Sequence, residues 1–220
     1  NTIWTQSGTL ESQGVFGVAA PASAQGTVVA GFSSGELNAY RYENGRTLWS
    51  DTLSSSTIST SVSSLADIDA EPVIDQGRVY AVGQGGRMAA VELASGQRLW
   101  EQNIAGISTP WIAGEWLFVV TDDARLVCIA RGSGKIRWIS QLQAFRNVED
   151  KKGPITWVGP ILAGNRLWLA NSRGELVSAS PTDGSVGVTI EGKDAVSLSP
   201  VVAGGVLYVL SDKGEITAYR

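Results

Sequence analysis

A repeat runs through almost the whole chain and restricts its fold more than any other feature. Five prolines recur about 45 residues apart on average, and similar residues follow each of them at the same distances. Glycine comes twenty-four residues after four of the prolines, and tryptophan comes twenty-eight residues after three. The prolines are Pro21, Pro72, Pro110, Pro160 and Pro200; the glycines are Gly45, Gly96, Gly134 and Gly184; and the tryptophans are Trp49, Trp100 and Trp138, with Val188 in the fourth repeat.

Each repeat has the pattern of four short strands separated by turns that contain glycine. In the second repeat these strands are "PVID", "RVYAVGQ", "MAAVEL" and "QRLWEQ". Four strands per unit at this period are typical of a β-propeller blade. The sequence therefore predicts an all-β chain in which residues 1–220 form a single β-propeller with about four to five four-stranded antiparallel blades. The predicted blades are residues 21–49, 72–100, 110–138, 160–188 and 200–220.

The ends of the repeat allow two arrangements. Residues 1–6 resemble the outer strand of a preceding blade, and the fifth repeat stops after its third strand. Either the chain is part of a larger propeller, or its first strand closes the last blade into a five-bladed ring, which would cover exposed strand edges.

The recurring tryptophan and glycine have a structural explanation. An aromatic ring at one place in each outer strand can pack on the adjacent blade, and the glycine four residues earlier supplies a positive φ in the hairpin. Cys128 stands where other repeats have alanine or serine, which predicts a small buried core residue.

Composition excludes several functions. The net charge of −4 argues against a nucleic-acid partner. The absence of histidine excludes Ser-His-Asp triads and zinc sites of the HExxH type, and the single cysteine excludes an internal disulfide and a thiolate metal cluster. The sequence predicts no catalytic residue, no cofactor and no metal.

The connection between Trp49 and Pro72 is the first of two long ones, with 22 residues. It carries Asp67, Asp69 and Glu71, whose side chains share one face in an extended segment. These acids fit docking of a partner, stabilisation of the loop, or a Ca²⁺-like site.

The second long connection, residues 139–159, carries Phe145, Arg146 and Trp157. These side chains fit either an aromatic and basic contact patch or an ordinary solvated loop.

The repeat resembles the quinoprotein-like propeller repeat over residues 21–220, and within that superfamily residues 65–102 resemble the BamB family. The family has a Leu-x-Asp-x-Asp-x-x-Pro loop, matched by Leu65, Asp67, Asp69 and Pro72. A loop one blade earlier ends Arg-Gly-x-x-Ala-Pro in the family. Here it reads "GVFGVAAP", with Phe16 at the arginine position, after Val15.

The resemblance implies an eight-bladed propeller and favours a partial chain over a five-bladed ring. It also implies a non-catalytic lipoprotein scaffold at the periplasmic face of the outer membrane of a Gram-negative bacterium. The membrane contact would be an N-terminal lipid anchor outside this chain. The implied partners are the periplasmic (POTRA) domains of the barrel insertase BamA and unfolded outer-membrane protein clients. The implied contact residues are Val15, Phe16, Leu65, Asp67 and Asp69.

Two other functions share this repeat. Quinoprotein dehydrogenases resemble the chain, but the family has a vicinal disulfide that a single cysteine cannot form. The extracellular sensor propeller of a larger receptor is the other alternative.

Overall fold

The described residues form strands and turns. The computed structural model describes residues 1–9, 19–53, 68–84 and 86–220, and no helix is assigned within these ranges. Consequently no helix that could span a membrane is found among them. The strands divide between two compact units, Asn1–Thr109 and Pro110–Arg220. Within each sheet every strand pairs antiparallel with the next strand of the chain, which confirms the predicted all-β class.

The first unit contains two four-stranded sheets. Sheet 1 consists of β1 (Ala22–Ala24), β2 (Thr27–Gly31), β3 (Glu36–Arg41) and β4 (Thr47–Thr52). Sheet 2 consists of β5 (Val73–Asp75), β6 (Arg78–Val82), β7 (Met88–Glu92) and β8 (Arg98–Gln102).

The second unit contains two more four-stranded sheets, a three-stranded sheet and a separate hairpin. Sheet 3 consists of β9 (Trp111–Ala113), β10 (Trp116–Val120), β11 (Arg125–Ala130) and β12 (Ile136–Gln141). The hairpin is β13 (Phe145–Asn147) and β14 (Lys152–Pro154). Sheet 4 consists of β15 (Trp157–Ala163), β16 (Arg166–Asn171), β17 (Glu175–Ala179) and β18 (Val186–Glu191). Sheet 5 consists of β19 (Val201–Ala203), β20 (Val206–Leu210) and β21 (Ile216–Tyr219).

The core of each unit lies between consecutive sheets. In the first unit Val29, Leu37 and Ala39 of sheet 1 pack on Val79 and Ala89 of sheet 2. In the second unit one cluster joins sheets 3 and 4, and another joins sheets 4 and 5. Apolar residues recur in every strand of the repeat because neighbouring sheets bury them face to face.

A small residue stands opposite the repeated tryptophan in each of the first three sheets. Ala39 pairs with Trp49, Ala90 with Trp100, and Cys128 with Trp138. Each pair is followed by an irregularity in the strand register, where the ladder shifts. Cys128 is fully buried, which confirms the prediction of a small core residue at this place. Burial raises the pKa of its thiol to about 11.

The tryptophan of one sheet packs on the glycine of the next. A Cβ atom added to Gly96 would lie 2.6 Å from the ring of Trp49, and one added to Gly184 would lie 2.6 Å from the ring of Trp138. Trp49 also donates a hydrogen bond from Nε1 to the Leu93 carbonyl at 2.8 Å. The predicted packing between neighbouring sheets is confirmed for these two tryptophans.

Residues 1–9 form no strand, yet Trp4 makes the same contact. Its ring lies 2.6 Å from the position of a Cβ on Gly45, and its Nε1 donates to the Tyr42 carbonyl at 2.8 Å. The assignment of residues 1–6 to a particular blade stays a prediction.

We expect Gly96→Ala to destabilise the protein much more than Gly77→Ala does. Both glycines have a positive φ, at 75° and 73°, so both variants carry the left-handed penalty of about 1–2 kcal/mol. Nothing lies within 4 Å of a Cβ on Gly77, whereas a Cβ on Gly96 meets Trp49. Overpacking should add about 1–3 kcal/mol at Gly96. Urea unfolding measures the difference, and equal losses in the two variants would contradict the packing role of Gly96.

Candidate functional site

The turn between β2 and β3, residues 32–36, accepts hydrogen bonds from residues that lie close in sequence to the predicted contact residues. We call it the anchor turn. It is closed by hydrogen bonds from the Gly35 amide to the Phe32 carbonyl at 2.9 Å and from the Phe32 amide to the Glu36 carbonyl at 3.0 Å. Gly35 has a φ of 77°, so the glycine of the repeat suits this turn.

Both ends of the first long connection are fixed at the anchor turn. Leu53 is fully buried and donates its amide to the Gly35 carbonyl at 2.8 Å. Ile68 is also buried and donates its amide to the Phe32 carbonyl at 3.3 Å. A Cβ on Gly31 would lie 2.5 Å from Cγ2 of Ile68, so the isoleucine occupies the space that the glycine leaves. The described residues on both sides of the segment 54–67 are therefore bound to the anchor turn.

The segment before residue 10 is fixed to the same turn. The Glu36 carboxylate accepts one hydrogen bond from the Thr9 amide at 3.1 Å and another from the Thr9 hydroxyl at 2.6 Å. Gly8 lies against the ring of Phe32, where a Cβ would collide with it. Thr9, the last described residue before the segment that carries Val15 and Phe16, therefore lies at the same turn as Leu53 and Ile68.

Four of the five predicted contact residues lie outside the described residues. These are Val15, Phe16, Leu65 and Asp67. The structure brings Thr9, Leu53 and Ile68 together at the anchor turn, and the contacts of these four residues stay predictions.

Asp69 is the predicted contact residue that the structure describes. Ile68 and Ala70 are buried, Asp69 between them is half-buried, and Glu71 is exposed, as expected for an extended segment with one face inward. Asp69 already has an interaction within the chain. The Glu71 amide donates a hydrogen bond to Thr109 Oγ1 at 3.3 Å. Asp69 therefore fits loop stabilisation as well as docking.

The described residues offer no ready-made cation site. No group of three or more histidine, cysteine, aspartate or glutamate side chains is arranged to hold a metal within these ranges. Asp69 and Glu71 are the only members of the predicted acidic set that the ranges include.

The second long connection differs from its sequence prediction. It folds into the β13–β14 hairpin, on which Arg146 is exposed and Phe145 is half-buried. Trp157 is buried in the core between sheets 3 and 4 and donates its Nε1 to the Gln143 carbonyl at 2.9 Å. The prediction that Trp157 belongs to a surface contact patch is wrong, because the ring is needed to fill the core.

Sequence reasoning did not identify the roles of Thr9, Phe32 and Glu36. Gly35 belongs to the repeat and was detectable at its fixed spacing. Thr9 and Glu36 occur once each in these roles, and no local pattern links two residues 27 positions apart.

A match to the model of one protein family shows to which family the chain belongs. The sequence model described as "Outer membrane protein assembly factor BamB" matches residues 1–140. The chain belongs to the BamB family. Curated BamB proteins are similar over nearly all of it: one from Alkalilimnicola ehrlichii is 28% identical over 93% of this chain and 51% of its own length. One from Yersinia pestis is 26% identical over 98% of this chain and 53% of its own length. The chain spans about half the length of these relatives.

Solved structures support the same fold. The crystal structure of BamB from Moraxella catarrhalis covers 100% of this chain and 63% of its own, with a TM-score of 0.85 and 18% identity. The quinohemoprotein alcohol dehydrogenase from Comamonas testosteroni covers 92% of this chain and 42% of its own, with a TM-score of 0.63 and 13% identity. Both likenesses concern the fold, and the predicted class of β-propeller blades is confirmed.

We expect the pKa of Glu36 to report the Thr9 contact. The Thr9 hydroxyl, together with the Thr9 amide, holds the pKa of the Glu36 carboxyl below its ordinary value. Thr9→Val removes the hydroxyl and should raise the pKa of Glu36, which a carboxyl-detected NMR titration measures.

The sign of the pH effect follows from this direction. Because the pKa is lowered in the folded state, the contact stabilises the protein above the unfolded pKa, and its contribution is lost as the pH falls through the folded pKa. An unchanged Glu36 pKa in Thr9→Val would contradict the contact.

Proposed function

We propose that this chain is the propeller of a non-catalytic docking scaffold for outer-membrane protein assembly, at the periplasmic face of the outer membrane. Its partners would be the periplasmic (POTRA) domains of a BamA-like insertase, with unfolded outer-membrane proteins as clients. Membership of the BamB family supports this role. The fixed arrangement at the anchor turn supports the place of contact.

The observation that carries the proposal is that described residues next to both segments with predicted contact residues are bound to the anchor turn. Thr9, Leu53 and Ile68 each donate a backbone amide to residues of the anchor turn. One partner surface could then contact both segments, because the described residues next to them are bound to one turn. Loops held on a rigid framework lose less conformational entropy on binding than free loops do.

The chemistry of the contact would be a basic partner side chain against the acids and an apolar partner side chain against Phe16. A lysine or arginine facing Asp67 and Asp69 gains charge-assisted hydrogen bonds. Asp69 is half-buried, so a partner that covers it strengthens these bonds by excluding water.

We expect the double variant Asp67→Lys with Asp69→Lys to lose binding to the BamA periplasmic domains. Reversing both charges removes the attraction and adds repulsion, and breaking a desolvated charge pair costs roughly 2–5 kcal/mol. Calorimetric titration at low and high salt measures the affinity, which should fall with ionic strength in the unchanged protein.

A matched control is Glu43→Lys with Glu191→Lys, which changes the net charge equally at two exposed positions elsewhere. It should bind with little change. Because Asp69 has an interaction within the chain, the Tm of each single variant should also be measured. If Asp67→Lys binds normally and Asp69→Lys fails only together with a lowered Tm, the acids stabilise the loop and the proposed contact is wrong.

We expect Phe16→Ala to weaken the same binding with little dependence on salt, because the lost contact is apolar. Removing a buried aromatic contact costs roughly 2 kcal/mol at an interface. The same titration at two salt concentrations tests it. A loss that varies with salt as strongly as the acidic contact does would show that Phe16 acts through the charges instead.

A quinoprotein dehydrogenase remains the alternative from another functional class, favoured by the likeness to the Comamonas testosteroni fold. The chain's single cysteine cannot supply the vicinal disulfide of that family, and Cys128 is buried. Adding pyrroloquinoline quinone with Ca²⁺ and measuring dye-linked alcohol oxidation separates the two functions, because a scaffold shows no turnover.

A further inference from the structure

A basic cleft lies beside the β13–β14 hairpin in the second unit. Its volume is about 340 Å³, and it is lined by Arg146 of the hairpin together with Ser172, Arg173, Lys193, Asp194 and Ala195. Arg146 lies in the long connection that the sequence singled out, whereas the other residues come from the β16–β17 turn and the segment after β18. Three cationic side chains therefore meet in a protein whose net charge is −4.

The charges of the cleft are only partly balanced. The Asp194 carboxylate is 2.5 Å from Lys213 Nζ, and Arg173 Nη2 is 3.2 Å from a Glu175 oxygen. Arg146 and Lys193 have no ion pair within the part of the chain that the structure describes. The cleft consequently has two cations in excess, which attract an anionic group.

The hairpin holds Arg146 in place at this cleft. Phe145 pairs with Pro154 across the hairpin, and the Ile155 amide donates to the Ala144 carbonyl at 2.9 Å below it. The aliphatic stem of Arg146 lies over Gly153, with Cδ 3.2 Å from the position of an added Cβ. A guanidinium supported in this way presents its donors with less loss of side-chain freedom than an isolated surface arginine.

We propose that this cleft binds an acidic, extended segment of a partner protein through its carboxylates. Guanidinium donors match the geometry of carboxylates, and alternate side chains of an extended segment lie about 6.6 Å apart on one face. Ligand pockets have volumes of roughly 300–1,000 Å³. The cleft lies near the lower end of this range, so it suits one or two side chains. Val148, 65% exposed on the same hairpin as Arg146, offers an apolar side chain to the same partner segment. The cleft lies in the second unit, shares no residue with the predicted contacts of the proposed function and needs a partner segment of the opposite charge.

The test measures the binding of a fluorescent, end-capped peptide with glutamates at alternating positions and valines between them. Fluorescence anisotropy at low and high salt should show affinity for the unchanged protein that falls as salt rises. Arg146→Glu and Lys193→Glu should each weaken binding about tenfold, since reversal replaces attraction with repulsion. The matched control is Lys152→Glu, which makes the same change of charge on the same hairpin outside the cleft lining.

Each outcome decides the proposal. Binding that is reduced by Arg146→Glu and Lys193→Glu, kept by Lys152→Glu and absent for the glutamine version of the peptide supports it. Equal weakening by Lys152→Glu overturns it, because the peptide would then follow net charge alone. Absence of binding to the unchanged protein also overturns it, and so does binding to anionic phospholipid vesicles without binding to the peptide. Melting curves check that the variants stay folded, as expected for changes at exposed side chains.

Discussion

The packing of a tryptophan ring on a glycine without a Cβ couples neighbouring sheets within each unit. Trp49 meets Gly96, and Trp138 meets Gly184. Two requirements favour glycine at this position: its φ is positive, and the tryptophan ring covers its α-carbon. An alanine would satisfy neither requirement, so the two residues recur together through the repeat. Repetition of this contact builds a framework on which irregular segments can be held.

The anchor turn shows how a unique site is built on such a framework. The repeat places Gly35 in the turn directly before β3 of sheet 1, and the carbonyls of this turn accept the amides of Leu53 and Ile68. Glu36 then adds a contact that is not part of the repeat, to Thr9. Regular packing thereby fixes the position of the turn, and single hydrogen bonds fix the chain segments that leave it.

The sequence predicts those features that recur and misses those that occur once. Periodicity identified four-stranded sheets, the packing of Trp49 and the burial of Cys128, because each depends on residues at fixed spacings. It could not identify the Thr9 contact with Glu36, which joins distant positions through tertiary structure. Trp157 fitted a contact patch or a solvated loop because it lies in a long connection, but its ring is buried in the core between sheets 3 and 4. The cleft beside the hairpin depends on the same long-range folding.

The acidic segment and the basic cleft place opposite demands on a partner. Asp69 lies in the first unit on an extended segment whose inward face is fixed by Ile68 and Ala70. Arg146 lies in the second unit on a hairpin whose strands pair between Phe145 and Pro154 and between Asn147 and Lys152. A basic partner surface that suits the acids is repelled by the cleft, and an acidic segment that suits the cleft is repelled by the acids. One uniformly charged segment therefore cannot bind both places, so a scaffold that uses both must recognise either two partners or one partner with separate basic and acidic parts.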